Sequence, residues 1–350
     1  MTNIEFRSAY REMQFRKPAR TSRNTLHSKP SWFIMLSDPV SGRKGFGECS
    51  LIPGLSLDNA EEIHEVINGL GGEVRRESLD PVRFKRMPAL RFALETALKS
   101  LESTDPFRMY DTDFSRSVSG IPINGLIWMD DAQGMLDQME KLRSEGFRIL
   151  KMKIGSLDFD EELRFLKEMR SAFPADEFEL RLDANGAFAP DEALERLEAL
   201  APFSIHSIEQ PIAPDQHGDM QRLCEKSPIP VALDEELIGR TDVDQLLDDI
   251  APDYLILKPS LIGGLRMAEH WADVAAKRGI GWWATSALES DIGLNAIAQW
   301  CAQSQNHLPQ GLGTGRLFKN NVPSPLAVAG AHLHYGAGEW DLSELFVYDG

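Results

Sequence analysis

The sequence contains little cysteine, and the cysteines that it has are isolated. Cys49, Cys224 and Cys301 are far apart, and no C-x-x-C pair or close Cys/His cluster occurs. A small disulfide-stapled fold needs paired cysteines at regular spacings, and a structural zinc site needs clustered ligands. The cysteine pattern therefore indicates neither a disulfide framework nor a zinc site.

Long apolar segments are also absent from the sequence. No run of about 18 or more apolar residues occurs, so no membrane span is predicted. The first residues, Met-Thr-Asn-Ile-Glu-Phe-Arg, contain no apolar region of the kind found in secretion signals. We therefore expect a cytoplasmic protein in a reducing compartment, with no membrane partner.

Basic residues are outnumbered, with 37 Lys and Arg against 54 Asp and Glu, which gives a formal net charge of −17. An acidic protein of this kind is not expected to bind nucleic acid or an acidic membrane surface. The polar, basic segment 18–29 is a local exception without hydrophobic periodicity. It is predicted to be a loop, and two interpretations stay open: a lid over an active site or a plain surface loop.

The order of the predicted elements divides the 350 residues into three parts. Residues 1–105 read as strands followed by helices, an α+β domain in which Asp58 is predicted to cap the first helix. Residues 106–316 alternate strand and helix, which predicts an α/β, TIM-type (β/α) barrel of seven to eight strands, with 308–312 as the eighth. Residues 317–350 lose this pattern and are expected to pack back on the first domain.

Five charged residues stand at the carboxyl ends of successive barrel strands, about one per strand–helix unit of roughly 30 residues. They are Lys153, Asp183, Glu209, Asp234 and Lys258. In a closed barrel these strand ends converge on one mouth, which brings three carboxylates together between two lysines. Unpaired carboxylates at close range repel one another, and a hard divalent cation such as Mg²⁺ relieves that repulsion. Any one of the five could be a solvated strand-end charge, but five in succession predict a metal-dependent active site.

The motifs around these positions resemble the enolase superfamily and, within it, the muconate lactonizing enzyme subgroup. They are Lys151-x-Lys153, Asp183-x-Asn185, Glu209-Gln210-Pro211, Asp234-Glu235 and Lys258-Pro259. Gly45-x-Gly47-Glu48 resembles the capping domain of the superfamily, which identifies residues 1–105 as that domain. Arg181, Ser-Ala-Leu-Glu-Ser at 286–290 and Gly-Leu-Gly-Thr at 311–314 resemble the o-succinylbenzoate synthase family most.

The resemblance implies a carbon–oxygen lyase of menaquinone biosynthesis. The implied reaction is the syn-dehydration of 2-succinyl-6-hydroxy-2,4-cyclohexadiene-1-carboxylate to 2-succinylbenzoate through an enediolate. It implies that Asp183, Glu209 and Asp234 hold one Mg²⁺, with Mn²⁺ as an alternative ion. It also implies that Lys153 is the general base and that Lys258 is the second catalytic lysine.

Substrate contacts are implied for five further residues: Lys151, Arg181, Asn185, Ser286 and Gly311. For Arg181 a salt bridge to a metal-ligating carboxylate is an equal alternative. A turn role explains Asn185 nearly as well as a substrate contact does, and for Ser286 and Gly311, taken one by one, an ordinary loop role is favoured. An N-acylamino-acid racemase or dipeptide epimerase stays open as a second function, because it uses the same two catalytic amines. The expected partner is a small anionic carboxylate, and both a monomer and a homo-oligomer are compatible with the sequence.

Overall fold

The computed structural model describes residues 3–20, 25–128, 130–304 and 306–346, without the side chains of residues 19 and 20. The strands are β1 Asn3–Arg20, β2 Thr25–Ser37, β3 Lys44–Ser50, β4 Gly72–Arg75, β5 Ile121–Pro122, β6 Gly125–Ile127, β7 Ile149–Lys153, β8 Glu179–Asp183, β9 Ile205–Glu209, β10 Val231–Leu233, β11 Tyr254–Leu257, β12 Gly281–Ala284, β13 Leu326–Ala329 and β14 His332–Tyr335. The helices are α1 Ala60–Gly69, α2 Pro88–Glu102, α3 Ala132–Ser144, α4 Phe159–Ala172, α5 Ala193–Leu200, α6 His217–Lys226, α7 Val243–Ile250, α8 Pro259–Ile262, α9 Leu265–Lys277 and α10 Asp291–Gln303.

The first part of the chain forms an antiparallel sheet in the order β3-β2-β1-β4, with α2 packed on it. Helix α2 approaches β3 closely at two glycines. A Cβ added at Gly45 would meet the carbonyl oxygen of Ala97, and one at Gly47 would meet that of Ala93. This close approach explains the Gly-x-Gly pattern, because only residues without a side chain let the backbones come so near.

Segment 18–29 is mostly strand, so the prediction of a loop over that whole range was wrong. Strands β1 and β2 form a long hairpin whose last pairs join Ala19 to Leu26 and Arg20 to Thr25. Only residues 21–24 of the expected loop lie outside the described residues. The polar sequence of this segment predicts that Lys29 is exposed to solvent, but Lys29 is fully buried in the sheet. The sequence pattern therefore did not indicate a strand here.

The predicted cap of the first helix is displaced by one residue. Asn59, not Asp58, accepts the free backbone N–H groups of Glu61 and Glu62 at the start of α1, at 2.9 and 3.1 Å. The Asp58 carboxylate instead accepts the N–H groups of Ala89 and Leu90 in the first turn of α2, at 3.2 and 3.3 Å. Both residue types cap helices well, and the tertiary contact with α2 decides which helix each one serves.

The second part of the chain forms a parallel sheet in the order β12-β11-β10-β9-β8-β7-β6, with helices alternating between the strands. The expected eighth strand at 308–312 is reduced to two isolated bridges, in which Gln310 pairs with Ile123 and Gly311 with Thr285. These bridges join the two edges of the sheet and close the barrel. Pro309 has no N–H to donate to a neighbouring strand, which explains why a full eighth strand does not form.

The chain after the barrel returns to both earlier parts. Strands β13 and β14 extend β5 into a small antiparallel sheet. Phe346 lies 6.2 Å from Phe46 in the first sheet, and Trp340 stacks on Phe107 at 4.3 Å. A separate apolar cluster joins the first sheet to the barrel through residues such as Phe33 and Ala287. Within the described ranges, no helix is both long enough and apolar enough to cross a lipid bilayer.

Candidate active site

Adjacent barrel strands bring the predicted charged residues into one register. Lys153 pairs with Asp183 across β7 and β8, and Asp183 pairs with Glu209 across β8 and β9. Asp234 and Lys258 follow the last residues of β10 and β11 directly. Asp183, Glu209 and Asp234 are each only 2% exposed. The parallel ladder therefore places three buried carboxylates at the ends of three neighbouring strands, as the spacing in the sequence predicts.

Lys151 joins two of these carboxylates. Its Nζ lies 2.8 Å from Asp183 Oδ2, and 2.6 and 2.7 Å from the two oxygens of Glu209. Burial alone lowers the pKa of Lys151, but attraction to Asp183 and Glu209 outweighs it and holds that pKa above its usual value. Burial and repulsion from Asp183 raise the pKa of Glu209. At Asp183 burial also favours a higher pKa, but attraction to the surrounding lysines outweighs burial and lowers the pKa of this carboxyl group.

Lys258 forms an ion pair with the third carboxylate, Asp234. Burial alone lowers the pKa of Lys258, and attraction to Asp234 and Glu209 reverses this, so that it lies above its usual value. The structure thus balances the three carboxylates with the ammonium groups of nearby lysines. Buried charges of this kind are tolerated only when they are paired.

Lys153 lies on the cavity side of this cluster. Its Nζ donates a hydrogen bond to Asn185 Oδ1 and lies 3.7 Å from Asp183 Oδ2. The Asn185 amide in turn donates to Glu235 Oε1 at 3.0 Å. Burial, followed by repulsion from Asp234, raises the pKa of Glu235 to about 7. Glu235 is a site residue that sequence reasoning missed, although its place beside Asp234 in an Asp-Glu pair was a usable signal.

Gln210 fixes the turns that carry two of the carboxylates. It adopts a positive φ of 40°, and its side-chain oxygen accepts the N–H groups of Asp234 and Glu236 at 3.1 and 3.2 Å. Its amide donates to Glu236 Oε2 at 3.1 Å. Asp215, His217 and Glu236 form a separate group of potential metal ligands at this edge of the barrel mouth.

A cavity of about 390 Å³ opens at this mouth. Seven of the ten predicted site residues line it: Lys151, Lys153, Asp183, Asn185, Lys258, Ser286 and Gly311. Glu209 and Asp234 lie behind Lys151 and Lys258, to which they are bonded. Apolar side chains, including Ile52 and Leu55 from the first domain, also line the cavity.

Arg181 is the predicted site residue that lies away from the cavity. Its guanidinium stacks on the ring of Trp283 at 4.1 Å, and it donates to Glu179 Oε1 and to the carbonyl oxygen of Pro309 at 3.2 and 3.0 Å. It is 2% exposed, and burial lowers its pKa. The alternation along β8 is regular, but Arg181 lies one layer deeper in the barrel than Asp183. The structure gives it a packing role in the barrel interior, which argues against the expected substrate contact.

Ser286 and Gly311 lie side by side at the seventh and eighth strand positions. The N–H of Ser286 donates to the carbonyl oxygen of Gly311 at 3.1 Å. The Ser286 hydroxyl donates to Glu289 Oε2 at 2.6 Å. A Cβ on Gly311 would lie 3.0 Å from Thr285 Cγ2, so a side chain would strain this junction.

Comparison with known proteins places the chain in a family. Residues 134–338 match the enolase C-terminal domain-like family. The chain belongs to the enolase superfamily. It is 45% identical to the o-succinylbenzoate synthase of Desulfotalea psychrophila (strain LSv54 / DSM 12343), an alignment that spans 95% of this chain and 99% of that protein.

Other members of the superfamily share the fold or the length of the chain. The crystal structure of MenC from Desulfotalea psychrophila LSv54 superposes with a TM-score of 0.85 at 42% identity, over 95% of this chain and all of that one. The N-succinylamino acid racemase of an Amycolatopsis species is 24% identical over 97% of this chain and 93% of that protein. The predictions of the superfamily and of a barrel with an α+β first domain are therefore confirmed.

Proposed function

We propose that this enolase superfamily enzyme catalyses the o-succinylbenzoate synthase reaction. The reaction is the syn-dehydration of 2-succinyl-6-hydroxy-2,4-cyclohexadiene-1-carboxylate to 2-succinylbenzoate, a lyase step of menaquinone biosynthesis. The observation that carries the proposal is the 45% identity to a synthase over nearly the full length of both chains. The racemase relative is far more distant, at 24% identity.

The residues of the site fit one hard divalent cation. Asp183, Glu209 and Asp234 offer only oxygen ligands, and all three are buried at neighbouring strand ends. Three such carboxylates need positive charge beside them, and in this structure Lys151 and Lys258 supply it. We infer that these three residues hold Mg²⁺, with Mn²⁺ as a substitute. When bound, such an ion stabilises the negative charge of the enediolate and competes with the lysines for the carboxylates.

The lysines have separate tasks in the proposed reaction. Lys153 lines the cavity with its Nζ held by Asn185, and it is the proposed base for the proton α to the substrate carboxylate. The same amine then returns that proton to the leaving hydroxyl group, so that water departs from one face. Lys258 lines the cavity on another strand, where its ammonium can stabilise negative charge on the substrate. Lys151, which lines the cavity beside both carboxylates, is proposed to contact the substrate carboxylate.

The remaining parts of the proposal concern the substrate and the assembly. We propose a small carboxylate substrate as the partner, with its anionic end beside the lysines, Ser286 and Gly311 as the wall next to it, and apolar residues such as Ile52 and Leu55 against its ring. The proposed domains are a capping domain at 1–105, a barrel at 106–316 and a C-terminal segment at 317–350. We also propose a cytoplasmic location, and a homo-oligomer is compatible with this function.

The test is to incubate the purified protein with the cyclohexadiene substrate and Mg²⁺ and to follow both substrate absorbance and 2-succinylbenzoate by chromatography. The expected result is conversion that stops in Lys153→Ala. A parallel incubation with an N-succinylamino acid in deuterated water tests the alternative. Exchange at the α-carbon without any 2-succinylbenzoate from the first substrate would overturn the proposal in favour of a racemase.

A further inference from the structure

A glutamate of the first domain caps a helix of the barrel. Glu48, in β3, is fully buried. Its carboxylate accepts three hydrogen bonds at the start of α10: from Ser290 N at 2.9 Å, from Ser290 Oγ at 2.6 Å and from Gly293 N at 3.1 Å. The first N–H groups of a helix have no partner within the helix, and a carboxylate is favoured there. Residues 242 positions apart in the sequence thus form one cap.

Glu48 is also connected to a buried lysine within the first domain. Lys29, also fully buried, donates to Ser31 Oγ at 3.1 Å, and Ser31 Oγ donates to Glu48 Oε1 at the same distance. Lys29 donates to Ser50 as well, and its ammonium lies 5.6 Å from the ring centre of Phe318. The Ser31 hydroxyl therefore bridges the buried side chains of Lys29 and Glu48.

The capped helix begins immediately after a turn that lines the cavity. Ser286, Ala287 and Leu288 line the cavity, and Leu288 adopts a positive φ of 61°. Glu289, fully buried behind them, accepts the hydroxyl of Ser286 at 2.6 Å and that of Ser260, which lies two residues after Lys258. The turn is thus held at one end by Glu289 and at the other by the contact of Ser290 with Glu48.

Space around this junction is limited. A Cβ on Gly293 would lie 2.7 Å from Glu289 Cβ and 3.0 Å from Glu48 Oε2. The absence of a side chain at position 293 lets the two acidic residues pack against the same turn of α10. The geometry fixes Glu48, Glu289 and the start of α10 as one unit, since no member can move without displacing another.

We propose that Glu48 is a positioning residue for the substrate-binding turn 286–289, and that the first domain sets the shape of this wall of the cavity through it. The inference rests on the proposed function, in which Ser286 forms part of the cavity wall next to the substrate. Glu48 itself does not touch the cavity. It acts through Ser290 and the orientation of α10, so its loss should affect substrate binding more than the chemical step.

Glu95 offers a matched control. It is a second glutamate of the first domain that reaches a barrel helix, and it accepts the N–H of Arg266 in the first turn of α9 at 2.9 Å. It is 8% exposed, and burial raises its pKa. Glu95 therefore ties the two parts of the chain together as Glu48 does, but at α9 instead of at the turn that carries Ser286.

The experiment compares Glu48→Gln with Glu95→Gln in the full-length protein with Mg²⁺. In Glu48→Gln an amide N–H₂ faces one of the backbone donors, so we expect the KM for the cyclohexadiene substrate to rise about tenfold and kcat to change less than about threefold. Glu95→Gln should lower thermal stability while leaving KM within about twofold of wild type. Equal KM values in Glu48→Gln and wild type, or equal KM increases in the two variants, would overturn the proposal.

Two further measurements keep the test independent of folding and of the proposed activity. Ser290→Ala removes one of the three contacts with Glu48, and we expect a smaller KM increase in the same direction. Amide hydrogen exchange in the segment 286–293 should accelerate at least about tenfold in Glu48→Gln and not in Glu95→Gln, whichever reaction the enzyme catalyses. Unchanged exchange there would refute the positioning role, whereas a wild type without synthase activity would refute only the proposed function.

Discussion

Replacing Lys151 by methionine removes the ammonium shared by Asp183 and Glu209 while keeping a side chain of similar length. In the metal-free protein we expect a large loss of stability, because two buried carboxylates lose their common partner. In this structure the three carboxylates are paired with Lys151, Lys153 and Lys258, and the variant lacks one of these three partners.

The distances set the size of this loss. A pair of unit charges about 2.7 Å apart, close to the separations of Lys151 from its partners, attracts by about 6 kcal/mol at an effective dielectric constant of about 20. That figure exceeds the net loss, because the freed carboxylates take up protons and water. Breaking a buried pair by removing one partner costs about 3–5 kcal/mol, which is the loss expected for Lys151→Met.

Added Mg²⁺ should reverse much of this loss. In the variant the ion meets Asp183 and Glu209 without having to displace the Lys151 ammonium, so it should bind more tightly than in wild type. A ligand at about 100 times its Kd stabilises a protein by about 2.7 kcal/mol. The assay is chemical denaturation in EDTA and across an Mg²⁺ titration, with Lys167→Met on the exposed face of α4 as the control.

The result that would refute this reasoning is an Mg²⁺ response of the same size in Lys151→Met, in wild type and in the control. Such a result would place the ion away from Asp183 and Glu209. Asp183→Asn provides the complementary check, because loss of a ligand should weaken the Mg²⁺ response even though it also removes a charge that needs balancing.

Three further predictions concern single residues elsewhere in the chain. Lys153→Ala should abolish formation of 2-succinylbenzoate while circular dichroism and Mg²⁺ stabilisation stay near wild type, and appreciable turnover would remove Lys153 from the base role. Burial raises the pKa of Asp291 to about 6. Between about pH 4 and pH 6 the native form therefore binds more protons than the unfolded chain, so the contribution of Asp291 to the free energy of unfolding falls as pH rises. Because Asp291→Asn lacks this loss, its free energy of unfolding in urea titrations should gain up to about 3 kcal/mol relative to wild type across that window. Plots of unfolding free energy against pH that run parallel for the two proteins would contradict this prediction. Gly47→Ala should cost about 1–3 kcal/mol in the same assay because its Cβ would meet the Ala93 carbonyl, whereas Gly69→Ala, with open space around it, serves as the near-neutral control.

The strand-end charges could be predicted because they depend on a local rule. Each follows an apolar strand, and parallel pairing places successive strand ends side by side, as it does for Lys153, Asp183 and Glu209. The barrel could be predicted from the alternation of strands and helices for the same reason. Both features require only the order of elements along the chain.

Features decided by tertiary contacts were not predictable in this way. The sequence places Asp58 and Asn59 next to each other, and only the position of α2 assigns Asp58 to a second helix. Alternation along β8 places Arg181 on the face of Asp183, but the stacking of its guanidinium on Trp283 depends on how strands pack across the barrel. The burial of Lys29 likewise depends on Glu48 and on the two serines around it.

The lysines of the site are paired with the carboxylates that are proposed to bind the metal ion. The carboxylates beside Lys151 and Lys258 raise the pKa of both amines above its usual value, which favours their protonated forms. In the proposed reaction Lys153 is the base, and its Nζ lies 3.7 Å from Asp183 Oδ2, so an ion bound to Asp183 would take a partner from this amine. The carboxylates that would hold a divalent ion are thus the partners of the lysines in this structure. In the proposed mechanism, metal binding and the acid–base chemistry of the lysines would be coupled, since an ion bound to a carboxylate would release the lysine that is paired with it.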